Sequence, residues 1–185
     1  IQNSVREVAR QGSSPVLAYV KALHRVMEHC LATPNRGWLL KPERKWNGRD
    51  KDFEFVIRGQ ADSDYAKCPV TRRSVSGCAT FLEGAPVNVR SLMQKIVALS
   101  VTEAETISAV TCAQDMLYVR KILVSLGLKV KLPMVLDIDN SGAVDLSNNW
   151  SAGGRTRHME VRMFFLRDLK EQGLIVTNWI NGNDN

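Results

Sequence analysis

Acidic residues stand where strands would end or a helix would begin. Asp62 and Asp64 close the run FEFVIRGQADSD, Glu105 falls inside SVTEAETISAV, and Asp139 closes PMVLDID. Side chains two apart in a strand share a face, so Asp62 and Asp64 point the same way. Glu105 is in line with Ala109, Cys112 and Met116 along a helix, which turns it toward a sheet. If the strand ending at Asp62 pairs with the one ending at Asp139, the two carboxylates emerge side by side and Glu105 leans over them. Ligands of α/β sheets gather at such strand ends. Three carboxylates at one point repel each other unless a cation lies among them. All-oxygen ligation selects Mg²⁺ or Mn²⁺. Two such ions about 3.5–4 Å apart clamp the attacking water and the leaving oxygen of phosphodiester hydrolysis.

Plainer readings of the same residues stand beside this one. Thr102 and Glu105 have the S/T-x-x-E spacing of a capping box, and Glu103 offsets the helix dipole. Asp64 suits turn chemistry before Pro69, and Asp137 is expected on the opposite side of its strand or in a loop.

The elements that must place these acids follow from the periodicity. Residues 1–14 are polar and expected to be loosely held, and helical spacing begins after Pro15 and runs to Cys30. A turn-rich loop precedes a strand over 53–61 running into Asp62. Strands are expected at Val75–Leu82 and Val87–Ser91 with EGAP as their turn, then a helix from about Thr102 to Gly127. The nearly continuous apolar run Pro133–Asp139 reads as a buried parallel strand. A short helix at 140–149, an amphipathic helix at 155–173 and a last strand at 174–180 complete the order. Helix, then β-β-β-α-β-α-α-β, gives a mixed five-stranded α/β sheet: three antiparallel strands, then helix-linked parallel strands, with helices on both faces.

Of 185 residues, 44% are hydrophobic and 24% charged, an ordinary composition for one domain with a core. No apolar stretch reaches the ~20 residues of a membrane helix, so no membrane partner is expected. There is no signal peptide, and the first residue is Ile, which suggests an excised piece or a processed product. Four scattered cysteines lack zinc spacing and read as reduced thiols of an intracellular protein. A net charge of +6 and a pI near 9.3 favour a polyanionic partner.

Ordered motifs sharpen the reading. SDYAKCPVTRRSVSGCATFLEGAPV, QKIVALSVTEAE, LDIDNSGAV and GGRTRHMEVRMFFLRDLKEQG resemble, in order and spacing, the ribonuclease H domain of copia-type LTR retrotransposon polyproteins. That pattern runs S-D-A-D-W-A, T-R-R-S-x-S-G-Y, A-L-S-x-T-E-A-E-Y, D-N-x-x-A and R-T-K-H-I-D. The resemblance implies a ribonuclease H-like fold at 53–185. It also implies that 1–52 corresponds to the helix and linker joining the reverse transcriptase to that domain. Its catalytic, metal-holding acids fall on Asp62, Glu105 and Asp139, with Asp64 secondary. The implied chemistry is hydrolysis of the RNA strand of an RNA–DNA hybrid with two Mg²⁺ ions, for which Mn²⁺ can substitute, during reverse transcription. The implied partner is the reverse transcriptase domain of the same polyprotein, in the cytoplasm, a virus-like particle or the nucleus. This chain departs from the pattern at Tyr65, Cys78 and Thr106. The family's C-terminal helix, which carries a fourth acid, is expected beyond Asn185, and Asp184 aligns before it.

A hybrid binder needs phosphate contacts, and groups that sense the 2′-OH. Arg72, Arg73, Ser74 and Ser76 suit phosphate and sugar. Asn140 and Gln94 suit the minor groove, and Arg155, Arg157 and His158 form a second basic cluster. His158 is open to a proton-shuttling, product-release or structural part. Lys41, Arg44, Lys45, Arg49 and Lys51 make a basic loop around Trp46 that a solvated linker would also explain. Two rival functions remain: a catalytically inactive or domesticated ribonuclease H-fold module that binds nucleic acid or acts as a scaffold, and an integrase- or resolvase-type nuclease, which T-R-R-S and D-N-S-G disfavour.

Overall fold

Ile57, Gly59 and Ala61 alternate with Arg58, Gln60 and Asp62, the two-residue period of a strand with one buried face. In the computed structural model, which describes residues 2–10, 12–14, 16–49, 51–148 and 157–181, that strand is the centre of a sheet. The chain divides into two compact units, Ile1–Leu39 and Leu40–Asn185. The first holds α1 (Gln2–Ala9) and α2 (Leu17–Ala32), neither of which has a buried residue.

The second unit carries β1 (Glu54–Phe55), β2 (Ile57–Asp64), β3 (Val75–Leu82), β4 (Ala85–Met93), α3 (Val101–Ser125), β5 (Lys129–Val130), β6 (Met134–Ile138), α4 (Ser141–Asn148), α5 (Arg157–Glu171) and β7 (Ile175–Trp179). The five-stranded sheet has the order β4-β3-β2-β6-β7. β2, β3 and β4 are antiparallel, whereas β6 runs parallel to β2 and β7 parallel to β6. β1 and β5 form a separate parallel pair that the periodicity did not foreshadow. The β3–β4 turn is shorter than expected. Leu82 pairs with Ala85, leaving Glu83 and Gly84 as a two-residue turn with both φ values positive. Pro86 therefore lies in β4, an edge strand, where a missing N–H is tolerated.

α3 lies against β2 and β3, burying Ala104, Ala109, Cys112, Ala113 and Met116. Gly59 permits that approach. A Cβ there would stand 2.4 Å from Met116 Sδ and 2.8 Å from Cys112 Sγ. Gly59→Ala is expected to destabilise the fold by about 1–3 kcal/mol through overpacking, read as a lower urea midpoint at unchanged slope. Ile57, Met134, Leu136, Ile138, Leu166 and Ile175 complete the core with these residues.

Helices were expected on both faces of the sheet, but α3, α4 and α5 of the described residues share one. Ser147 of α4 hydrogen-bonds Thr177 at 3.0 Å, and Thr177 is in register with Leu136 and hence with Gly59 beneath α3. The other face bears Arg58, Gln60, Asp137 and Asn178. There Asp137, 0% exposed, accepts hydrogen bonds from Arg58 Nε and from Asn178 Nδ2. No helix of the described residues is long and apolar enough to cross a membrane.

Candidate metal centre

The parallel pairing of β2 with β6 ends at Ala61 opposite Ile138. The next residues of the two strands, Asp62 and Asp139, therefore leave the sheet side by side on one face. Glu105 reaches the same point from the first turns of α3. One carboxylate oxygen from each of Asp62, Glu105 and Asp139 lies within 4.8 Å of the others. Asp62 is exposed, Asp139 half-buried and Glu105 only 3% exposed, so the group forms an acidic floor with an open mouth.

Glu105 is free to do this because the helix is capped by other residues than the spacing suggested. Ser100 is the N-cap and its Oγ accepts from the Glu103 N–H, while the Glu103 carboxylate accepts from the Leu99 N–H at 2.7 Å. Thr102 and Glu105 do not form the expected box. Instead, Glu105 Oε1 accepts from Ser63, from its N–H at 3.2 Å and its Oγ at 2.7 Å. Glu105 Oε2 is buried with no hydrogen-bond partner.

The electrostatics are those of crowded acids. Burial pushes the Glu105 carboxyl from 4.5 up to about 7, against the hydrogen bond from Ser63 and with the repulsion of Asp139 and Asp62. Burial, and next the charge of Asp139, also raise Asp62 above its ordinary value. An all-carboxylate set with an unpaired buried lone pair fits a hard divalent cation.

Sequence reasoning passed over the groups that hold this centre. Ser63, between the two acids of D-S-D, must point to the opposite face from them, toward α3, a signal the two-residue period carries. Ser108, one turn after Glu105, donates its hydroxyl hydrogen bonds to the backbone carbonyls of Asp62 at 2.6 Å and Gly77 at 3.0 Å. Trp179 Nε1 donates to the Asp139 carbonyl at 3.1 Å, a contact no local pattern announces. Asp137, expected to face away, shares the Asp139 face by its two-residue spacing but is held by Arg58 and Asn178. Asp64 stands outside the group, exposed and 3.5 Å from Lys67.

The expected nucleic-acid contacts divide. Arg72 and Arg73 are exposed on the turn between β2 and β3. Ser74, Ser76 and Gln94 are not available, because the fold buries them. Ser74 Oγ accepts from the Ala66 N–H, and Gln94 Nε2 donates to Ser76 Oγ and to the Ala104 carbonyl. These groups tie the turn and β4 to α3. Asn140 is half-buried and its Oδ1 accepts from the Ala143 N–H, capping α4. Arg155 lies outside the described residues, as do the side chains of Arg157 and His158.

No protein-family model matches the chain. It is 33% identical over 151 residues, 80% of its length, to the retrovirus-related Pol polyprotein from transposon TNT 1-94 of Nicotiana tabacum. It is 26% identical over 184 residues, 100% of its length, to that from transposon RE1 of Arabidopsis thaliana. The chain belongs with the retrovirus-related Pol polyproteins. It spans only 11% and 12% of the length of these two relatives. Its fold is that of ribonuclease H. LC11-RNase H1, isolated from compost by a metagenomic approach, superposes with a TM-score of 0.53 at 15% identity, covering 70% of this chain and 87% of that one. The same enzyme in complex with an RNA/DNA hybrid gives a TM-score of 0.53 at 13% identity, covering 70% and 88%.

Proposed function

We propose that this Pol segment is a metal-dependent ribonuclease H that cuts the RNA strand of RNA–DNA hybrids during reverse transcription. One observation carries the reading: Asp62, Glu105 and Asp139 converge on a ribonuclease H fold, with Glu105 Oε2 buried and unpaired. Asp62, Glu105 and Asp139 are the residues that would hold divalent cations. When bound, two Mg²⁺ or Mn²⁺ ions supply the activation of the attacking water and the stabilisation of the leaving 3′-oxygen. Ser63 fixes the Glu105 carboxylate through Oε1 and leaves Oε2 without a partner. Ser108 and Trp179 pin the backbone at Asp62 and Asp139, so the acids are preorganised rather than gathered at the moment of reaction. Arg72 and Arg73 grip backbone phosphates beside the cut. Asn140, whose amide oxygen is committed to α4, turns its NH₂ group to a 2′-OH. The segment works in cells alongside the reverse transcriptase domain of its own polyprotein, with residues 1–52 as the connection.

The test is a hybrid labelled on its RNA strand, incubated with the chain and Mg²⁺. RNA cleavage with the DNA strand and a DNA duplex left intact is expected. Equal cutting of the DNA duplex would instead mean an integrase- or resolvase-type nuclease. Cation binding with no cleavage would mean a binding module.

A further inference from the structure

The basic loop around Trp46 is exposed but tethered to the fold. The Glu43 N–H donates to the Glu83 carbonyl at 2.7 Å, Arg44 makes a two-pronged contact with the Glu83 carboxylate at 2.6 and 2.7 Å, and the Arg44 guanidinium lies 4.6 Å from the centre of the Phe53 ring. Trp46 meets Phe55 edge-on at 5.3 Å, and Phe53 meets Phe55 at 4.9 Å. Beside these contacts is a cavity of about 390 Å³ whose lining includes Trp46, Phe53 and Phe55 together with Arg49, Lys51 and Lys129. Trp46 remains 40% exposed. Lys129 is paired with Asp52 at 3.1 Å, but no acid is among the described residues that line the cavity. Gly127, with φ of +76° and nothing within 4 Å of where a Cβ would be, leaves one wall bare.

We propose that this cavity binds an unpaired nucleotide of a single strand, its base against the exposed Trp46 ring and its phosphates on Arg49 and Lys51. The chemistry selects that ligand. An acidic peptide would use the cations and leave the rings idle, and an apolar ligand would do the reverse. A nucleotide has both a planar base and a charged backbone, and a base can lie on a ring only when it is out of its pair. The volume falls within the range of small-ligand sites, about 300–1,000 Å³. The cavity lies where the chain enters β2, whereas the carboxylates lie where it leaves. The eight residues of β2 separate the two by about 25 Å at ~3.3 Å per residue. It is thus a second site, independent of the chemistry proposed for the acids.

The test is fluorescence anisotropy of a labelled ten-residue oligo(dT) in EDTA, so that no divalent cation takes part. Trp46→Ala is expected to weaken binding about tenfold, whereas Trp46→Phe retains most of it. Arg49→Ala with Lys51→Ala is expected to lower the slope of log affinity against log salt by about 1.4, at ~0.7 per phosphate lost. Cleavage of a blunt hybrid is expected to be unchanged in Trp46→Ala. Wild-type affinity in both the alanine variants, or displacement of the oligonucleotide by an equal charge of polyglutamate, would overturn the proposal. A failure of hybrid cleavage alone would leave these binding results intact and count only against the nuclease.

Discussion

Asp62→Asn is expected to lower hybrid cleavage about 10³-fold, since in the proposed nuclease it removes a charged ligand worth several kcal/mol to the transition state. The same change is expected to raise the melting temperature of the metal-free protein. Burial and Asp139 already hold the Asp62 carboxyl above its ordinary value, so a neutral amide of equal size relieves repulsion and fills the same space. Loss of activity with a gain in stability is a signature that misfolding cannot produce. Single-turnover cleavage in Mg²⁺ and thermal unfolding in EDTA measure the two halves. Asp64→Asn is the control. Asp64 shares a strand face with Asp62, but it is exposed and near Lys67, and its substitution is expected to alter cleavage by less than about twofold. Activity surviving in Asp62→Asn, or a loss at Asp64→Asn equal to that at Asp62→Asn, would move the chemistry away from the Asp62–Glu105–Asp139 cluster.

The amino-acid sequence alone carries whatever depends on period and order. The two-residue alternation at 57–62 and the apolar run at 134–138 define strands, and once β2 and β6 are neighbours Asp62 and Asp139 must meet. What stayed hidden depends on which of two equal local patterns wins. Ser100–Glu103 and Thr102–Glu105 both satisfy S/T-x-x-E. Tertiary packing decides between them, because capping by the first pair leaves Glu105 to turn toward Ser63. Ser74 and Ser76 look like surface hydroxyls by type. They are buried because the turn folds back on itself, with the Cys68 N–H on the Arg73 carbonyl and the Arg72 N–H on the Cys68 carbonyl. Asp137 was misplaced because the nearly continuous apolar run VLDID masks the two-residue period. Its partner Arg58 is 79 residues away in sequence.

The stability of the metal-free protein is expected to fall as pH rises from about 4.5 to about 7, and divalent cation is expected to reverse that slope. Burial raises the folded-state Glu105 carboxyl from 4.5 to about 7. Below 4.5 both folded and unfolded chains hold the proton, and the stabilisation of the neutral form is fully present. Between the two values only the folded chain keeps it, so stability is lost as pH rises. A shift from 4.5 to about 7 amounts to about 3 kcal/mol at ~1.36 kcal/mol per unit, or roughly 6–12 °C in melting temperature for a chain of this size. Asp62, also raised, adds in the same direction. Cation binding needs the deprotonated carboxylates, so Mg²⁺ should stabilise little near pH 5 and most near pH 8. Glu105→Gln isolates the cause. It should flatten the slope in EDTA by removing the titrating group, and remove the response to Mg²⁺ by leaving a neutral oxygen where a charge is needed. Ser63→Ala tests the remaining hydrogen bond from the other side. Without the hydroxyl the carboxylate keeps only the Ser63 N–H, so the upper end of the window of falling stability should move to higher pH. A slope that survives unchanged in Glu105→Gln would show that the buried charge at the floor of the site is not what the metal-free fold resists.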